Sequence, residues 1–332
     1  MNSPIGADGL QHDGLQLSVV VVALERGEWG GGVGDALRKC LASLASQEGE
    51  VAAEVIVPCD ERLAGAGVMK ALSGVKVVRL AGQRTPAELR SFGVRSARGN
   101  IVALTEDHCT AASDWFSQIL EAHTLRRAAI GGVVEKALGG AALEWALYFS
   151  DYGRFMSPVR DGPARYITDC NVSYERSMLE NVRTVWLEEF HETEVHDALV
   201  RRGEILWLSP RIIVHSRRVL PYAVAMRDRY LFGRLFASGR VAGAGPVKRA
   251  LYAGSCVALP AVLLGRMAAN ILHKRRHIAQ WLRAFPAATI LVAAWTCGEF
   301  TGYLTGRPSR ELRPKPTQGS NASGKKLVGS DA

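Results

Sequence analysis

Four consecutive apolar residues, Ile101-Val102-Ala103-Leu104, run straight into Thr105-Glu106-Asp107-His108. So short and so apolar a run reads as a strand buried on both faces, whose end delivers two carboxylates and an imidazole to a crevice. A strand covered on both faces needs helices above and below it, which points to a layered α/β fold. Hard cations such as Mg2+ or Mn2+ take carboxylate oxygens together with substrate phosphates, so this strand end suits a metal–diphosphate site.

The neighbouring pattern agrees. Residues 17–24 form a second Val-rich buried run, 54–57 a third that closes at Pro58-Cys59-Asp60, and 75–80 a fourth. Between them, Leu37, Cys40, Leu41 and Leu44 share one helical face over 35–47, and 85–97 carries Pro86 in its first turn. Strands alternating with helices predict a mostly parallel sheet with helices on both faces. Past Asp114-Trp115 we expect a helix to about Arg127 and a strand over 130–135. Residues 137–165 are expected to be irregular. Helices over 178–182 and 192–202, and two strands, 205–208 and 211–215, flanking Pro210, complete the expectation.

Charge divides the chain. Residues 1–200 hold 19 Lys+Arg against 27 Asp+Glu, a net −8, whereas 201–332 hold 22 against 5, a net +17. A basic end meets either nucleic acid or an anionic membrane surface. The longest apolar runs, 250–265 and 284–298, lie in this same half, and no nucleic-acid recognition pattern accompanies them, so membrane is the expected partner. Each run falls short of the roughly 20 residues of a comfortable span. Between them lies His273-Lys274-Arg275-Arg276-His277. A simple hairpin would carry this basic loop across the bilayer, against the positive-inside tendency. Two main readings stand, two short or tilted transmembrane helices, or re-entrant or interfacial helices, with a buried soluble helical pair behind them. The six cysteines form no CxxC pair, which fits a reducing compartment. No signal-peptide pattern opens the chain, so the catalytic part is expected in the cytoplasm. The expected organisation is a loose leader (1–15), an α/β domain (16–216), basic amphipathic and hydrophobic membrane-associated helices (217–305) and a disordered tail (306–332).

Several spaced segments carry a resemblance: Leu17-Ser18-Val19-Val20-Val21-Val22, Glu54 to Asp60, Ala87-Glu88-Leu89-Arg90-Ser91-Phe92-Gly93 with Ala97-Arg98-Gly99-Asn100, Leu104-Thr105-Glu106-Asp107, and His191-Glu192-Thr193-Glu194-Val195. Their order resembles an inverting, GT-A-type glycosyltransferase of family two, with its Rossmann-like sheet. The resemblance implies a nucleotide-sugar donor, a divalent metal (Mg2+ or Mn2+), and a lipid-linked or polysaccharide acceptor at the cytoplasmic membrane face. By it, Asp107 is the metal ligand, supported by Glu106 or by His215. Glu25, Asp60, Arg90 and Glu106 are nucleotide-binding. Glu192 is the base and Glu194 its runner-up. Asp169 and Asn171 fall in the acceptor or donor-sugar loop.

The chain departs from the family pattern where Thr105 replaces the first acid of Asp-x-Asp, where Cys59-Asp60 replaces an acid pair, and where Glu192 replaces an aspartate. A catalytically inactive nucleotide-binding assembly subunit is therefore the alternative, with a soluble nucleotidyltransferase behind it. Gly30-Gly31-Gly32-Val33-Gly34 lacks both phosphate-loop spacings. His191 and His196 stand about 140° apart on a helix and cannot chelate zinc together.

Overall fold

The computed structural model describes residues 14–24, 34–61, 63, 72 and 74–307. Strands β1 (Leu17–Val22), β2 (Ala53–Cys59), β3 (Lys76–Arg79) and β4 (Ile101–Glu106) pair in the spatial order β3-β2-β1-β4, all parallel. β1 and β4 are buried at every position, the polar Ser18, Thr105 and Glu106 included, as strands covered on both faces are. Helix α1 (Asp35–Ala45) buries the predicted Leu37, Cys40, Leu41 and Leu44. Helix α2 (Pro86–Arg95) opens with a capping box. Glu88 N donates to Thr85 Oγ1 at 3.1 Å, and Thr85 N donates to Glu88 Oε2 at 2.7 Å.

Beyond β4 the sheet is mixed. β5 (Cys109–Ala111), β6 (Ala129–Lys136), β7 (Gly162–Pro163), β8 (Asn171–Glu175) and β9 (Leu206–Ser216) complete it, in the order β4-β8-β6-β9-β5 with β7 also on β9. β8 is antiparallel to both β4 and β6, while β6 and β9 run parallel. Helix α3 (Trp115–His123) ends earlier than expected, ahead of Arg126 with its φ of 50°.

The two strands expected around Pro210 are one. Gly131 pairs with Leu208 but Val133 pairs with Ile213, so β9 bulges between these points and lifts Pro210, which has no N–H, out of the ladder. Gly132 faces this bulge, where a Cβ would overlap Ile212 O and the Asn171 side chain. Asn171 closes the gap. Its Nδ2 donates to Val133 O (2.8 Å) and Ile212 O (3.0 Å), and its Oδ1 accepts from Trp115 Nε1 (2.9 Å). Asn171→Ala strands three buried groups, each costing about 1–3 kcal/mol. A lowered urea midpoint is the expected result.

Residues 137–165, expected to be irregular, contain helix α4 (Ala142–Tyr152). Its N-cap is Ala141, so no capping side chain announces it. Leu143, Ala146, Leu147, Tyr148, Phe149 and Tyr152 are all buried, which blurs the one-sided apolar spacing of a surface helix. Helices α5 (Arg176–Asn181), α6 (Arg183–Trp186) and α7 (Glu192–Arg201) cover one face. The chain continues as α8 (Tyr222–Arg240), α9 (Pro246–Ser255), α10 (Leu259–Lys274) and α11 (Ile278–Thr305). α11 is long and apolar enough to cross a membrane, and α9 with α10 passes the same test as a pair bent by 50°. α11 also belongs to the main core: Trp281, Ala284, Ala287, Ala288 and Leu291 pack with Phe149 of α4. Most of the expected leader and tail lies outside the described residues.

Candidate active site

β1 has β2 on one side and β4 on the other, so the chain order reverses at β1. Open α/β sheets form their binding crevice at the carboxyl ends of such strands. Asp107 stands there. Its N–H donates to Val22 O at 3.1 Å, and its Oδ2 accepts from Leu24 N at 3.1 Å, which ties the acid to the end of β1. Asp60 follows β2 on the same edge, and its Oδ2 accepts from Arg84 N at 3.0 Å. Both are buried. Glu25 and residues 30–33 of the glycine-rich stretch lie outside the described residues.

Arg90, on α2, centres the site. Its Nη2 is 2.5 Å from Glu106 Oε1 and 2.6 Å from Asp169 Oδ2. The Thr105 hydroxyl donates to Cys170 O at 3.0 Å, which fastens the loop carrying Asp169 against β4. Burial works against the Arg90 charge, but Asp169, Glu106 and Glu192 outweigh it and hold the guanidinium protonated. Glu192 opens α7. Burial first, and Asp169 second, push its carboxyl above the usual range against the pull of Arg90. Glu106 is pushed up to about 7 by burial and by Asp169, opposed by Arg90 and His108. Two carboxylates thus bond one guanidinium, and Glu192 lies within its electrostatic reach.

A second set of groups supports Glu106 from behind. His108 Nε2 lies 3.0 Å from the Tyr152 hydroxyl and 3.5 Å from Glu106 Oε2. Burial opposes the imidazolium, yet Asp107 and Glu106 raise its affinity for a proton. Arg218 acts on Glu106 as well and is 3.9 Å from Asp151, which Arg229 holds through two contacts of 2.7 Å. Sequence reasoning missed Asp151, Tyr152 and Arg218. The first two end the unrecognised α4. The one signal for Arg218 was a basic pair closing the strand after His215.

The structure therefore brings Arg90, Glu106, Asp107, Asp169 and Glu192 into one connected cluster, with Asp60 on the same crevice edge. Glu194 is exposed and lines a separate open cleft with Thr184, Leu187, Glu188 and His191. His215 is exposed on β9, paired in register with Thr110 and Glu135. Asn171 is interior and spends its side chain on the bulge. Among the described residues no three His, Cys, Asp or Glu side chains converge as a metal cage. The donor set still fits a hard cation of the magnesium kind, which takes one or two carboxylates and completes its shell with substrate phosphates and water. Asp107 is the carboxylate at hand. Thr105 is committed to Cys170.

Comparison with known proteins agrees with this architecture. A structure of the mannosyltransferase PcManGT from Pyrobaculum calidifontis, in complex with GDP-Man and Mn2+, has a TM-score of 0.52 at 14% identity, over 86% of this chain and 86% of that one. The structure of S. aureus TarS (residues 1–349) has a TM-score of 0.44 at 12% identity, over 86% of this chain and 90% of that one, too low to add support. No curated protein matches the sequence. The model of the family described as Glycosyl transferase family 2 matches residues 18–183, half the chain, from β1 to the start of α6. The chain belongs to glycosyl transferase family 2.

Proposed function

We propose that this glycosyltransferase moves a sugar from a nucleotide-sugar donor to a hydroxyl of a lipid-linked or glycan acceptor, with inversion, at the cytoplasmic face of a membrane. The observation that carries the reading is the chain of charges from Asp107 and Glu106 through Arg90 and Asp169 to Glu192. It links a diphosphate-side acid at the sheet's switch point to a carboxylate suited to deprotonate an incoming alcohol. A carboxylate lifted above its ordinary range is the stronger base once ionised. Asp107 would hold Mg2+ or Mn2+, which supplies charge neutralisation for the departing nucleotide. Asp60 receives the base or ribose of the donor, Arg90 holds Glu106 and Asp169 in place, and Asp169 lies toward the donor sugar or acceptor.

Thermal shift against UDP-, GDP- and dTDP-sugars, with and without Mn2+, followed by assay of acceptor-dependent nucleotide release, tests the reading. One donor is expected to stabilise the protein and to be consumed, and Asp107→Ala is expected to lose the Mn2+-dependent part. Binding with no turnover of any donor would favour the inactive assembly subunit. Pyrophosphate release from a nucleoside triphosphate would favour a nucleotidyltransferase.

Asp169→Asn gives a sharper check on the base. Removing that negative charge relaxes the Glu192 carboxyl toward its ordinary value, so the ionised form persists to lower pH. The acid limb of the kcat–pH profile is expected to move to lower pH. An unmoved limb would separate Glu192 from the rate-controlling ionisation.

A further inference from the structure

The basic connection between α10 and α11 is fastened to the catalytic domain. Lys274 Nζ donates to Arg154 O at 2.9 Å and also to Met156 O. Arg276 Nη1 lies 2.7 Å from Glu135 Oε1 on β6 and donates to Ser157 O at 3.3 Å. His277 packs on Trp145 of α4, with ring centroids 4.9 Å apart. The loop that a simple hairpin would carry across a bilayer therefore sits on the catalytic side.

α11 then runs along the domain rather than away from it. Trp281 meets Phe149 edge-on, with centroids 5.6 Å apart. Past Leu291 its neighbour is α8. A Cβ on Gly298 would overlap Tyr230 O, and one on Gly302 would overlap Arg234 O, so the two backbones touch and the helices run parallel. α8 carries Arg227, Asp228, Arg229, Arg234 and Arg240, a poor composition for hydrocarbon. Arginines also close the distal end of α11: Arg249 Nε donates to Tyr303 O at 3.0 Å and Arg234 Nε to Arg307 O at 3.2 Å. A span through α11 would draw α4 and α8 into lipid and carry these arginines to the far leaflet, against the positive-inside tendency.

The opposite face of α11 is bare and apolar. Leu282, Phe285, Ile290, Phe300 and Leu304 are exposed on it, together with Cys297. From Leu282 to Leu304 the stripe is about 33 Å long at helical rise. Leu251 and Val257, beside the bend between α9 and α10, and Val262 on α10 add exposed apolar surface. Arg283 on α11 and Arg266 on α10 are exposed as well. A long apolar stripe accompanied by cations is complementary to a negatively charged leaflet.

We infer that α9, α10 and α11 lie in the plane of a single anionic leaflet, with the apolar stripe among the acyl chains and Arg266 and Arg283 at the headgroups, and that none of them crosses. This rests on the membrane-associated reading above. The apolar face sinks only partway into the boundary between headgroups and chains, as in-plane helices do. The crevice at the carboxyl ends of β1 and β4 is then held at a fixed height over the membrane, because α4 joins Tyr152 of the site to Trp281 of the anchor through one core.

Topology labelling of the full chain tests this. In a Cys297→Ser background, Arg275→Cys and Thr305→Cys are expressed separately and treated with a membrane-impermeant maleimide. The other described cysteines are buried. Both positions are expected to react in inverted membrane vesicles and neither in intact spheroplasts. Reaction of Thr305→Cys only from the outside of spheroplasts would establish a span and overturn the inference. As a companion, Leu282→Glu and Phe300→Glu are expected to release the protein from membranes by at least about tenfold while donor turnover persists, and Arg283→Glu to weaken binding to phosphatidylglycerol vesicles but not to phosphatidylcholine vesicles. If the wild type ignores vesicles and these variants instead dissociate a dimer, the stripe belongs to a second copy and the inference falls. Labelling does not depend on turnover, so failure of the glycosyl-transfer reading would leave its outcome unchanged.

Discussion

Glu192→Gln is expected to lower kcat by about 10^2- to 10^4-fold, the usual worth of a positioned general base, with donor affinity nearly unchanged. Glutamine keeps the shape but accepts no proton, so the acceptor hydroxyl must lose its proton to water. The pH profile supplies a second signature. The wild-type acid limb reports a carboxyl lifted above its ordinary range by burial and Asp169, and in Glu192→Gln that limb should disappear. Glu194→Gln, by contrast, alters an exposed side chain in a separate cleft and is expected to leave kcat within about twofold, as surface changes generally do. Steady-state kinetics on the two variants side by side distinguishes the roles. Equal losses in both would remove Glu192 from its assignment.

Arg90→Ala is expected to destabilise the fold by about 3–5 kcal/mol, because it leaves the buried Glu106 and the half-buried Asp169 without their shared cation. The sign of the pH dependence follows from Glu106. Its carboxyl already sits near 7 in the native protein, above its unfolded value, so the native state takes up a proton that the unfolded chain does not hold. Without Arg90 that tendency strengthens. The deficit should be largest above neutral pH and should shrink under mildly acidic conditions as Glu106 protonates. Arg90→Lys restores the charge but not the planar guanidinium that meets Glu106 and Asp169 together, and is expected to recover only part of the loss. Urea denaturation across pH checks all three statements. A deficit independent of pH would mean that Glu106 is not the group left stranded.

The parallel half of the fold was legible because its signals are local. An unbroken apolar run such as Val19-Val20-Val21-Val22 permits little besides a doubly covered strand, and Thr85-Pro86 with Glu88 marks a helix start. Asp107 and Glu192 could be singled out because one follows the end of such a strand and the other starts a helix, and Arg90 because it lies within the helix that Thr85-Pro86 opens. What escaped was fixed by tertiary partners. α4 has no capping side chain and buries most of its circumference, so Asp151 and Tyr152 were left in an expected loop. Pro210 looked like a break between strands, whereas a bulge facing Gly132, closed by Asn171, carries one strand past it. The same bulge explains why Asn171, expected in the acceptor or donor-sugar loop, is interior. His215 was expected beside the metal acid, but strand alternation turns it outward while Val214 and Ser216 face the core. The C-terminal arrangement depends on where the 273–277 loop is tethered, which hydropathy alone does not encode.

The most direct measurement is a crystal structure of Glu192→Gln with an intact nucleotide-sugar donor and Mn2+. The expected result is a diphosphate lying against Asp107 at the ends of β1 and β4, with the free face of the anomeric carbon turned toward residue 192 across the Arg90–Asp169 pair. A donor bound elsewhere, or one whose anomeric carbon faces away from residue 192, would contradict the assignment of acid and base to this crevice.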